Sequence, residues 1–196
     1  MATQSQQNVL YFFAPMVVVA LLLLSGCGMS PGDETDRANK LVDEGNAEVE
    51  AGRKFAEEGM VKYMLAFNFD EKTGTAADWE EIKQPAREAS ELLEKAATSF
   101  SKAADKFEEA GRLNVDDKFK QYLIIKAQSF RKNVEQMRVT REIPESLLNA
   151  SVKDTDALLA RIEDVNRRSQ ELSKESERLE AEAEKIQKEN AGRFKS

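Results

Sequence analysis

Histidine does not occur in this 196-residue sequence, and cysteine and tryptophan occur once each. Without histidine the chain lacks the commonest general base and the commonest transition-metal ligand. The lone cysteine, Cys27, has no second thiol for an intrachain disulfide. Residues 1–32 contain no Asp, Glu, Lys or Arg. The apolar core of that segment, Met16 to Leu24, is too short to cross roughly 30 Å of hydrocarbon, which takes about 20 residues. Motifs for phosphate or calcium loops are also missing, and a Glu-x-x-His di-iron set is impossible without histidine.

Beyond the uncharged segment the chain is densely charged. Its 29 basic and 36 acidic residues leave a net charge of −7, which disfavours nonspecific nucleic-acid binding. Ala, Glu, Lys, Leu and Arg dominate, the composition of long helices. About 165 residues is enough for one domain with its own core.

At the junction stands Leu24-Ser25-Gly26-Cys27. A short apolar run ending in small residues is the pattern of a secretory signal, and these four residues resemble the lipobox of bacterial lipoprotein precursors at every position. The resemblance implies a signal peptide over 1–26, acylation of Cys27 as the first mature residue, a lipidated linker over 27–32, and a periplasmic domain over 33–196. Gly28 in place of Asp after the cysteine implies sorting to the outer membrane. Met1 to Pro15 carries no Lys or Arg, unlike most such signals. The alternative is an uncleaved membrane anchor from Val9 to Gly28, kinked at Pro15. Either way the chain is attached to lipid, in the first case through acylated Cys27.

Periodicity predicts an all-α fold, an elongated antiparallel bundle or coiled coil of about four long helices. The first helix runs from Asp33 to about Phe69, with a four-three seam of Ala38, Val42, Gly45, Val49, Gly52, Ala56, Gly59, Tyr63 and Ala66. Glycine inside a helix costs about 1 kcal/mol against alanine, so Gly45, Gly52 and Gly59 predict a helix packed closely on that stripe. Asp33–Arg37, Asp36–Lys40, Glu50–Lys54 and Glu58–Lys62 predict a solvated face of i,i+4 pairs. Phe67 to Gly74 reads as a turn. A second helical region, Ala76 to Gly111, carries Ile82, Ala86, Ala89, Leu93, Ala96, Phe100, Ala103, Phe107 and Ala110, with Pro85 splitting or kinking it. The third, Val115 to about Arg141, buries Phe119, Leu123, Ala127, Phe130, Val134 and Met137, widened by Ile124 and Ile125, and ends or bends at Pro144. The fourth runs from an Asp154 cap to about Ala191, on Leu158, Ile162, Val165, Ser169, Leu172, Ser176, Leu179, Ala183 and Ile186.

No catalytic, cofactor or metal-ligating set is expected. Ser129-Phe130-Arg131-Lys132 matches S-x-x-K and Lys72-Thr73-Gly74 matches K-T-G, but their order is reversed and Phe130 belongs to a core face. Lys120, Arg131 and Arg138 share one flank of the third helix, either to bind an anion or to complement acidic neighbours. Leu172, Leu179 and Ile186 form a thin stripe, expected to receive a partner helix or a second copy. Phe67, Phe69 and Trp79 gather near the first turn, as a ligand site or as an apolar plug. The expectation is therefore a non-enzymatic envelope lipoprotein that scaffolds or holds a protein partner. The alternative is a small-ligand carrier with a pocket between the helices.

Overall fold

The computed structural model describes residues 33–67, 76–149 and 155–192. Four helices account for nearly all of them: α1 (Asp33–Phe67), α2 (Ala76–Gly111), α3 (Asp117–Asn149) and α4 (Thr155–Glu189). Each is about 50 Å long at 1.5 Å per residue. Among the described residues there is no strand, and no helix is long and apolar enough to cross a membrane. The Leu24-Ser25-Gly26-Cys27 junction and the Asp154 cap lie outside the described residues.

Successive helices are antiparallel, and each packs on its neighbours in the chain. α1 lies on α2, α2 on α3 and α3 on α4, whereas α1 barely meets α3 and has no extensive contact with α4. The bundle is thus an open row, with α1 and α4 at its edges. An inner helix must bury two faces, and α2 does so. All nine seam residues from Ile82 to Ala110 are buried, together with Ala97, Ser99 and Ala104.

The glycine column explains the α1–α2 fit. An added Cβ would stand 2.7 Å from the Phe107 ring at Gly45, 3.0 Å from the Phe100 ring at Gly52 and 3.2 Å from the Leu92 Cβ at Gly59, with Leu93 Cγ at 3.3 Å. Leu93, Phe100 and Phe107 recur at seven-residue steps and run antiparallel to the three glycines. Large side chains of α2 therefore fill the notches that the glycines leave in α1. Close packing was expected there, and its form is ring against backbone. On the far side Phe107 meets Phe130 of α3 edge-on, with centroids 5.2 Å apart. These residues belong to one apolar cluster drawn wholly from α1, α2, α3 and the turn between α2 and α3.

The α2–α3 turn is closed by capping. The Asp116 carboxylate accepts from Lys118 N–H at 2.8 Å, satisfying a donor at the start of α3. Glu34 of α1 accepts from Asn114 N–H at 2.7 Å, tying the turn to the start of α1.

The structure settles the alternatives left open at Pro85 and corrects three other expectations. α2 is one helix through Pro85, and α3 runs eight residues beyond Arg141 with Pro144 inside it. Ile143, Pro144 and Leu147 are buried in this stretch, and their packing outweighs the backbone hydrogen bond that proline cannot make. The charges of α1 are not simply solvated i,i+4 pairs. Arg37 pairs with Glu109, Glu44 with Lys106, Glu48 with Lys102 and Lys62 with Glu88, all across to α2. Lastly, Ile124 is 46% exposed and lies outside the α3 core face.

Candidate functional site

α3 and α4 meet differently from the other pairs. α4 offers apolar side chains near its ends, Val165 on one side and Leu179, Ala183 and Ile186 on the other. Between them its buried positions are Ser169 and Ser176. α3 answers with Ser129, Asn133 and Gln136, also buried, and with Thr140. The spacing 129, 133, 136, 140 keeps all four on one helical face, turned away from the Phe130–Met137 face that meets α2.

These groups bond to one another, as buried polar groups must. The Ser176 hydroxyl donates to Asn133 Oδ1 at 2.8 Å. Ser129 Oγ lies 3.1 Å from Ser176 Oγ and 2.8 Å from Glu180 Oε1. Glu180 Oε2 accepts from Lys126 Nζ at 2.6 Å, and that ammonium also lies 4.8 Å from the centre of the Phe130 ring. Further along, Ser169 Oγ is 3.2 Å from Thr140 Oγ1. Charges flank this polar track. Glu142 holds Arg168 through both carboxylate oxygens (2.8 and 3.0 Å) and Arg161 at 2.7 Å, while Lys132 bonds Glu135 and Glu175. Burial pushes the Tyr122 hydroxyl up to about 12, with Glu180 and Glu184 adding to the effect.

The candidates from the sequence fall out as follows. Leu179 and Ile186 are buried beside Ile125 and Tyr122 of α3, so the bundle itself covers two thirds of the stripe expected to face a partner. Leu172 is half-buried in a surface groove of about 560 Å³ that also includes Val139, Arg138, Glu142 and Glu175. On the basic flank, Arg131 is engaged by α2 through Asp105, Glu108 and Ser101, at 2.5, 3.1 and 3.1 Å. That places it in the role of complementing acidic neighbours. Lys120 stands 3.9 Å from Asp117, and Arg138 lies in the groove. The three side chains thus share a flank but not a site. Ser129 of the S-x-x-K match is spent on the polar track, and Lys132 on Glu135 and Glu175. Lys72-Thr73-Gly74 lies outside the described residues. So do the side chains of the Phe67, Phe69 and Trp79 candidate, although Tyr63 beside it is buried and its hydroxyl is raised to about 12 by that burial.

The polar track is hard to see in the sequence because Ser, Asn, Gln and Thr read as surface residues. The available signal was their own helical spacing on α3, set against the seven-residue step from Ser169 to Ser176. Comparison with protein-family models, with curated proteins and with solved structures returned no match.

Proposed function

We propose that this chain is a lipid-anchored scaffold of the bacterial cell envelope. In this reading it is acylated at Cys27, sorted to the outer membrane, and holds a protein partner through its helical surface without performing chemistry. The observation that carries the reading is the filled interface between α1 and α2. Phe107, Phe100 and Leu93 occupy the notches at Gly45, Gly52 and Gly59, so the space that a carrier would keep for a ligand is taken by the chain's own side chains. The groove beside Leu172 is open and lined by Arg138, Glu142, Arg168 and Glu175 rather than enclosed and apolar, as small-molecule sites usually are. By chain connectivity alone, an anchor at Cys27 precedes Asp33 by six residues.

The test is metabolic labelling with palmitate in a bacterial host, followed by crosslinking in intact cells. Wild-type protein should take up label and crosslink to an envelope protein, and Cys27→Ser should remain an unlabelled precursor. Absence of label on the wild type would remove the lipoprotein reading in favour of an uncleaved anchor. Labelled protein that crosslinks to nothing, yet retains a small apolar molecule on purification, would favour the carrier.

A further inference from the structure

We infer that α4 is a separable strap, opening from α3 as a unit while α1, α2 and α3 stay folded. Three observations carry this. First, the main apolar cluster contains no α4 residue, so Phe100, Phe107, Leu123 and Phe130 pack in a core that α1, α2 and α3 build among themselves. Second, α4 sits at the edge of the row and its extensive packing is on α3, so one main interface holds it. Third, the middle of that interface is hydroxyls and amides. Ser129, Asn133 and Gln136 on one side and Ser169 and Ser176 on the other exchange their mutual hydrogen bonds for bonds to water when they part, a change that is nearly balanced for each bond. Parting α1 from α2 would instead expose two phenylalanine rings and Leu93 to water, at full hydrophobic cost.

The contrast makes α4 the unit of lowest local stability in the described chain. One end is held at Val165, with Leu158 and Ile162 beside it, in an apolar cluster that also draws on α1, α2 and α3, and the other at Leu179, Ala183 and Ile186 against Ile125 and Tyr122. Its flanks are fastened by Lys126–Glu180, Lys132–Glu175 and the Glu142 pairs with Arg161 and Arg168. Opening uncovers Ser129, Asn133 and Gln136 at the centre of the α3 face, which water tolerates, and Ile125, Ile143 and Leu147 towards its ends. An open state of this kind gives the protein a second shape without unfolding its core.

Hydrogen exchange read by mass spectrometry on the full chain tests this directly. Amides of 155–189 should share one opening and show protection about 100-fold below those of 33–67 and 84–111, the pattern of a sub-global unit. The variant Asn133→Leu with Ser176→Ala replaces both partners of a buried pair by apolar groups, which leaves neither polar atom stranded. It should slow exchange in α4 about tenfold while leaving α1 and α2 unchanged, because only the α3–α4 contact gains apolar area. The inference is overturned if wild-type α4 exchanges as slowly as α1 and α2, or if the variant shifts all four helices together. Should the variant not fold, the wild-type comparison alone still decides.

Discussion

The ring of Phe107 lies over Gly45 so closely that a methyl group there would meet it at 2.7 Å. Phe107 cannot retreat freely, because Phe130 holds its other side edge-on. A glycine that weakens its own helix thus creates the notch by which two helices interlock.

The three glycines should differ in their tolerance of alanine. Each substitution gains about 1 kcal/mol of helix propensity, while overpacking costs typically about 1–3 kcal/mol. At Gly45 the clash should dominate, giving a net loss of about 1 kcal/mol. At Gly59, where the nearest atoms are 3.2 Å or more away, Gly59→Ala should stay within about 0.5 kcal/mol of wild type. Urea midpoints at constant slope measure this. Combining Gly45→Ala with Phe107→Leu should yield a favourable coupling. Equal stability of Gly45→Ala and Gly59→Ala would mean that the ring is not fixed.

Leu179 and Leu172 occupy the same stripe of α4 but should respond differently to truncation. Leu179 is 6% exposed among Ile125, Ala183 and Ile186, so Leu179→Ala should cost about 2–4 kcal/mol of α3–α4 docking. Leu172 sits half in the open groove, and Leu172→Ala should cost under about 1 kcal/mol. Exchange protection of α4 amides reports the docking energy in both variants. A larger effect at position 172 would return the stripe to the role of an external docking surface.

Alkaline pH should probe the buried hydroxyls. Burial raises Tyr63 from 10.0 to about 12, so the folded state keeps its proton where the unfolded chain has lost it. The unfolded state then binds fewer protons, and stability falls as pH rises from 10.0 to about 12. Tyr63→Phe should flatten that fall by up to about 1.4 kcal/mol per pH unit. Denaturation curves across that range, compared with wild type, give the slope directly. An unchanged slope in Tyr63→Phe would show that Tyr63 ionises near its ordinary value.

Much of the architecture could be read from the sequence wherever core positions are filled by small or apolar side chains. Every seam residue assigned to α2 is buried, as are the assigned core residues of α3 from Phe119 to Met137 apart from Ile124. Three kinds of feature were harder to read, each for a physical reason. The continuation of α3 past Pro144 depends on burial of Ile143 and Leu147, a tertiary contact that outweighs a local rule. The pairs Glu44–Lys106 and Lys62–Glu88 depend on the register between two helices, which spacing along α1 alone cannot supply. The Ser129–Asn133–Ser176 track is visible only when two distant helices are laid side by side, since a polar residue declares itself buried through its partner.

Packing each helix mainly on its sequence neighbours has a consequence for how the chain assembles. No helix has to wait for a distant segment before it finds a seat. When the chain is delivered from its N-terminus, α1 and α2 can interlock through the Gly45–Phe107 notch while α3 is still emerging. Each later helix then docks on a surface already in place. Loop-closure entropy stays small at every step, and contacts this local favour fast folding. Construction can therefore follow the order in which the helices emerge, with α4 docking on a face of α3 already held by α2.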